Sequence, residues 1–235
     1  MRLLSLHTAA RRRLFAIATL VALSVLGLAL MLARSRWVGR NEYDNLAWNL
    51  FLAWVPFAIA LGVYDLHRRG VSPRRLVPAA VVWFLFLPNA PYLVTDFVYL
   101  REFPSVPLWY DALMLGTFAG VGLLLGFLSL YLMHTLARRT FGVTAGWAAV
   151  TIVLALAGFG VYLGRFVRFN SWDVVTNPSR LAGDLWQGAS NPVGHPWTIV
   201  ASGVLGVLLI GGYVVAYQLV GVANARLSRL PNTGG

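Results

Sequence analysis

The chain has no cysteine and no lysine, and only 8 of its 235 residues are acidic. Without cysteine there is no disulfide, no thiol nucleophile and no thiolate metal site. Charged residues make up 11% of the chain, against about 25% in soluble domains. That scarcity excludes an ordinary soluble domain, a disordered chain and a coiled coil. Apolar residues fill the space, at 58% of the chain with a mean hydropathy of +0.69. All 19 basic residues are arginine, giving a net charge of +11. Nucleic-acid binding needs a continuous basic face, whereas these arginines stand in short clusters between apolar segments, the pattern that orients a membrane protein. No nucleic-acid partner is expected.

A membrane helix needs about 20 mostly apolar residues. Six segments qualify: Leu14–Ala33, Leu46–Tyr64, Leu76–Val94, Leu108–Met133, Val143–Gly164 and Thr198–Val220. The expected fold is an all-α polytopic bundle, with residues 1–13 a basic cytoplasmic N-terminus, 14–220 one membrane domain and 221–235 a cytoplasmic tail. With both termini inside, the inner segments carry 12 arginines and the single acid Asp65, and the outer ones 7 arginines and 7 acids. Arginine excess marks the cytoplasmic side, so the chain reads as N-in, C-in. The first span is longer than a signal-peptide core and ends in Met31-Leu32-Ala33, without small residues at both positions of a cleavage site, so it reads as a retained anchor. The C-terminal Leu230-Pro231-Asn232-Thr233-Gly234 string lacks the apolar span that follows in a wall-sorting signal and reads as incidental.

Several of the 23 glycines stand four apart: Gly116 and Gly120 after Ala112, Gly122 and Gly126, and Gly160 and Gly164. Small residues at this spacing let helices approach closely in lipid. Internal packing is the first reading, and homo-oligomer formation through the same faces the second.

Polar groups within a membrane are packing devices or functional groups. Here they gather toward the expected outer side: Asn49 in the second span, Asn89 and Asp96 in and after the third, and Asp111 opening the fourth. The fifth ends in Tyr162, Arg165, Arg168, Asn170, Trp172 and Asp173. In Leu87-Pro88-Asn89-Ala90-Pro91-Tyr92 each proline lacks an N–H and obstructs the carbonyl four residues back, which frees acceptors on Phe84 and Leu87. Asn89 can hydrogen-bond into that gap and Tyr92 can anchor its exit. Either this is a kink with a satisfied Asn, or a broken helix offering acceptors to a ligand. Arg165 and Arg168 lie one turn apart if helical, a spacing suited to a carboxylate or phosphate, with Asp96 and Asp111 as their expected partners. A structural ion-pair network, or snorkelling to lipid phosphates, is the first reading, and capture of such an anion the second. The segment Arg165–Trp197 is the one long connection, read first as lying flat at the interface with Trp172, Trp186 and Trp197 at headgroup level. His7, His67, His134 and His195 are dispersed without metal-ligand spacing. No metal site is expected, and no motif specifies a cofactor.

The run Phe86 to Asp96 resembles the signature of a bacterial membrane family, domain of unknown function 1361. The stretches Trp109-Tyr110-Asp111, Ser129 to His134 and Gly158 to Trp172 resemble its other blocks in order, covering about residues 45–220. The resemblance implies a multi-spanning bacterial inner-membrane protein and supplies no reaction. The expected role is structural or binding, centred on the outward polar cluster. One alternative is a membrane enzyme acting on a lipid-linked anionic substrate at the outer leaflet, with Asp96 or Asp111 as acid or base and the arginines holding phosphate. A transporter component is the third. The expected partners are the lipid bilayer and an anionic lipid or other phosphate-bearing ligand.

Overall fold

The computed structural model describes residues 2–102, 105–167, 179 and 196–227, with side chains for 11–102, 105–165, 179 and 200–223. Among the described residues all regular structure is helical. In chain order come α1 (Arg2–Val38), α2 (Asn45–Arg68), α3 (Pro73–Phe86) and the short α4 (Asn89–Tyr92), which runs on as a 3₁₀ stretch over Leu93–Arg101. Next are α5 (Leu108–Phe141) and α6 (Val143–Tyr162), the latter closed by a π turn over Leu163–Val167, and then α7 (Pro196–Leu227). Among the described residues six stretches are long and apolar enough to cross a membrane: Arg11–Val38, Asn45–Arg68, Pro73–Arg101, Leu108–Phe141, Val143–Arg165 and Val200–Ala223. This is the architecture of a multi-pass membrane protein. Exposed Phe15, Val25 and Leu32 on α1, and Val207, Leu208 and Leu219 on α7, give these helices apolar outer faces of the kind that contact lipid.

The helix bounds differ from the expected ones in physically informative ways. The first helix already starts at Arg2, and it continues beyond Ala33 to Val38. The third span is not one helix over Leu76–Val94, because α3 stops at Phe86. The segment Arg165–Trp197 gives up its ends to the π turn and to α7, and most of the remainder, with Trp172 and Trp186, lies outside the described residues.

The chain divides into two compact units, the first comprising Met1–Leu66 and Arg74–Ser129, the second His67–Pro73 and Leu130–Gly235. In the first unit, isolated polar groups are satisfied locally. Thr19, Ser24, Ser35 and Thr117 each donate to the carbonyl four residues back, as hydrocarbon surroundings demand. Ser24 also accepts from Trp54 Nε1 at 3.1 Å, which ties α1 to α2. Buried Ser129 on α5 accepts from Trp83 Nε1 at 2.6 Å and donates to the Pro56 carbonyl at 3.0 Å, so one hydroxyl joins α5 to α3 and α2.

The proline break is closed by the same logic. Leu87 N–H donates to Trp83 O and Phe84 O, and Ala90 N–H to Leu87 O, so both carbonyls expected to be free are taken by tighter turns. The Asn89 side chain donates to Phe86 O at 2.9 Å. Buried Ala90 and Pro91 then pack against α5 where it carries Gly122 and Gly126. A Cβ on Gly122 would collide with the Ala90 carbonyl oxygen and come within 2.9 Å of Leu93 Cδ1, and one on Gly126 would lie 3.1 Å from Ala90 Cβ. This glycine pair serves internal packing.

In the second unit α6 and α7 meet through small residues: a Cβ on Gly158 would lie 2.6 Å from Gly206 N and 2.9 Å from Ser202 O. His134, 1% exposed on α5, is hydrogen-bonded through Nδ1 to Tyr213 OH on α7 at 2.9 Å, and its ring meets Trp147 of α6 edge-on at 4.6 Å. Arg138 donates to Tyr217 OH one turn further on.

Gly122→Ala should destabilise the protein by about 1–3 kcal/mol, the usual range for overpacking. At Gly120 a Cβ meets nothing within 4 Å, so Gly120→Ala should be neutral or stabilising by up to about 1 kcal/mol. Unfolding of both variants in detergent micelles checks the opposite signs.

Candidate functional site

The most concentrated polar chemistry of the first unit lies at the C-terminal end of α1. Arg34, one turn before that end, is 1% exposed. Its Nε donates to Asp111 Oδ1 at 2.6 Å and its Nη2 to Asp111 Oδ2 at 3.1 Å, a two-pronged bond to the first turn of α5. Nη1 turns the other way and donates to Glu42 Oε2 at 2.5 Å. Both helix ends favour the arrangement, since a cation is stabilised near a helix C-terminus and an anion near an N-terminus. Arg40 binds the same Glu42 carboxylate through Nε at 2.8 Å and Nη2 at 2.6 Å, and Ser105 Oγ donates to it at 3.2 Å. Two guanidiniums and two carboxylates thus cancel.

The reversal that brings Glu42 back over Arg34 begins at Gly39, whose φ of 78° puts it in the left-handed region that glycine enters without a Cβ penalty. Its N–H caps the Ser35 carbonyl at 2.9 Å. Tyr43 then lays its ring over the Arg34 guanidinium, 4.7 Å from Cζ. Its hydroxyl lies 3.4 Å from Asp111 Oδ2 and 3.3 Å from Tyr99 O. Hydrogen bonding from Arg34, reinforced by Arg40, holds the Glu42 carboxyl below its ordinary value against the effect of burial. Burial, with the Asp111 carboxylate nearby, pushes the Tyr43 phenol up to about 12. Tyr110 donates to Leu30 O at 2.9 Å, and the exposed rings of Trp37 and Trp109 lie 6.1 Å and 5.7 Å from its own.

Beside this network is a pocket of about 170 Å³ lined by Glu42, Tyr43, Asp44, Asn45, Leu46, Asp96 and Tyr99. Asp96, 2% exposed, comes from the 3₁₀ stretch after the proline break and accepts from Asn49 Nδ2 of α2 at 3.4 Å. Among the described residues the walls carry three carboxylates, two phenols and a carboxamide. No group of three or more His, Asp or Glu placed to hold a metal occurs among the described residues.

Residues 48–210 match the model of the family described as protein of unknown function (DUF1361). The chain belongs to the DUF1361 family. No curated protein and no solved structure matches it. The matched stretch of this DUF1361 protein includes Asn49, the proline break, Asp96 and Asp111, and begins after Arg34 and Glu42.

Of the residues singled out in the sequence, Asn49 and Asp96 meet directly. Asn89 repairs the break, and half-buried Tyr92 ends α4 with its carbonyl accepting from Thr95 Oγ1 at 2.6 Å. Asp111 is held by Arg34 and Tyr43. Tyr162 and Arg165 are half-buried at the end of α6 and in the π turn of the second unit. Arg168, Asn170, Trp172 and Asp173 lie outside the described residues. Arg34, Glu42, Tyr43 and Asp44 went unremarked as site residues. The available signal for Arg34 was a guanidinium just past an apolar run, matched by an acid opening another.

The network should weaken from both sides of neutral pH. Glu42, its value lowered in the fold, contributes fully above about 4.5 and loses that contribution as pH falls through its lower folded value. Tyr43, its value raised, contributes fully below 10 and loses it as pH rises toward 12. Thermal midpoints across pH should fall at both limbs, with Glu42→Gln flattening the acid limb and Tyr43→Phe the alkaline one.

Proposed function

We propose that this multi-pass membrane protein is a binding protein whose site is the pocket beside Arg34, and that the site takes a small cationic or hydrogen-bond-donating group, such as the ammonium of a lipid headgroup or of a free amine. The observation that carries the reading is the lining: Glu42, Asp44 and Asp96 with Tyr43, Tyr99 and Asn45 around about 170 Å³. At about 170 Å³ the space is smaller than the ~300–1,000 Å³ of pockets for drug-sized ligands, which suits a headgroup or a fragment. Glu42 is already balanced by Arg34 and Arg40, so the walls that favour a cation over a phosphate are Asp44 and Asp96. If arginine-rich segments mark the cytoplasm, the pocket opens on the extracytoplasmic side, and Trp37 and Trp109 stand at interface depth.

A second reading is an enzyme of the outer leaflet, and one observation favours Asp96 over Asp111 for it. Asp96 is a wall residue of the pocket and Asp111 is not. Any acid–base step on a bound headgroup would fall to Asp96.

Native mass spectrometry of the purified full chain tests the proposal. Amine-bearing lipids or metabolites should co-purify with the wild type, and the bound fraction should fall about tenfold or more in Asp96→Asn and Asp44→Asn, as expected for loss of a charge-assisted contact. Bound species that are purely anionic, or are retained equally by both variants, would contradict it.

A further inference from the structure

Two consecutive wall residues of the pocket are held from behind by a side chain that does not itself line it. Glu42 is gripped by Arg34 Nη1 at 2.5 Å, and Tyr43 lies over the same guanidinium at 4.7 Å. Arg34 in turn is fixed to α5 by its fork on Asp111. The wall residues that follow, Asp44 and Asn45, are exposed. Among the described residues the buried guanidinium is therefore the one group that touches both Glu42 and Tyr43 and also reaches α5. Arg40 and Ser105 complete the shell of Glu42 from the exposed side, Ser35 Oγ donates to Asn41 Oδ1 at 3.2 Å and the Tyr43 hydroxyl to Tyr99 O at 3.3 Å.

We infer that Arg34 is the positioning residue of the pocket: it latches the α1–α2 connection onto α5, so that the pocket is formed when the Arg34–Asp111 fork is intact and opens when it is lost. This inference concerns the regulation of the site proposed above and rests on that reading only for what fills the pocket. The fork matters as well as the charge. Lysine at this position keeps the cation but cannot bridge both Asp111 oxygens while reaching Glu42. Coupling between latch and ligand is reciprocal, so a pocket ligand should hold the latch closed.

The absence of cysteine makes a direct test available. Leu46→Cys introduces a single thiol on the pocket wall at a position that is 2% exposed, and its reaction with a hydrophilic maleimide can be timed on the full chain in nanodiscs, where both faces are accessible. Ser72→Cys, in the exposed α2–α3 connection, serves as the control thiol. Adding Arg34→Lys or Asp111→Asn should accelerate the Leu46→Cys thiol about tenfold, within the usual range of coupling between sites, and leave the Ser72→Cys rate unchanged. Glu42→Gln, which leaves the fork intact, should give a smaller acceleration and keeps the test available if a fork variant fails to fold. An unchanged Leu46→Cys rate in folded Arg34→Lys, or equal acceleration of both thiols, overturns the inference. Ethanolamine as probe separates the two claims. Slowing of the Leu46→Cys thiol in the otherwise wild-type chain that is lost with Arg34→Lys supports latch and binding together. Acceleration by Arg34→Lys with no ethanolamine effect sustains the latch and counts against an amine as the ligand.

Discussion

A guanidinium buried at the end of a membrane span has to be neutralised, and Arg34 meets that condition with two carboxylates from different parts of the chain. Asp111 is 77 residues away and Glu42 only 8. The near partner fixes the reversal between α1 and α2, and the distant one fixes where α5 begins relative to α1. Removing one member of a buried pair leaves an uncompensated charge, typically at a cost of about 3–5 kcal/mol. Tyr43 lies against the Arg34 guanidinium directly, and Arg40 and Ser105 meet it through Glu42. At the other end of α1, Arg13 pairs with Asp65 at 2.8 Å in a more exposed bridge. The 21 residues from Arg13 to Arg34 span about 31 Å of helix, close to the ~30 Å hydrocarbon core of a bilayer. In the first unit α1 thus carries one ion pair at each expected boundary and satisfies its hydroxyls against its own backbone between them.

The proline break shows how a site can form at membrane depth without open backbone. Pro88 and Pro91 end α3, yet turn bonds and Asn89 satisfy the carbonyls they disturb, and glycine on α5 lets the irregular segment lie against helix. Irregular backbone is tolerated in a membrane when it is buried in protein. The break also redirects the chain into the 3₁₀ stretch that delivers Asp96 and Tyr99 to the pocket. The second unit uses a different device, an aromatic cluster around His134 joining α5, α6 and α7.

The spans were legible because a bilayer demands about 20 apolar residues for each crossing and little else. The break was legible because proline removes a donor wherever it stands. Asn49 and Asp96 were legible as rare polar groups, and they do meet. The partner of Asp111 was not, since a positive charge after an apolar run normally marks a helix boundary. Here neutralisation by remote Asp111 and nearby Glu42 accompanies a helix that continues through Arg34 to Val38. The seat of Ala90 against Gly122 was illegible in the same sense: the spacing marked a close contact, but the contact lies on a segment some thirty residues away, and spacing within one helix carries no information about its neighbour. Glu42 and Tyr43 sit in a short connection where exposure is the default expectation, and only the folded chain reveals their burial.

The central claim is that Arg34 and Asp111 act as one unit, and a double-mutant cycle measures it most directly. Arg34→Met, Asp111→Leu and the double variant would be unfolded in parallel in one detergent at neutral pH. Each single change should cost about 3–5 kcal/mol, while the double change should cost less than the sum by about 2 kcal/mol or more, within the range found for residues in direct contact. Additive costs within about 0.5 kcal/mol would show that the two side chains stabilise the protein independently and would contradict the account.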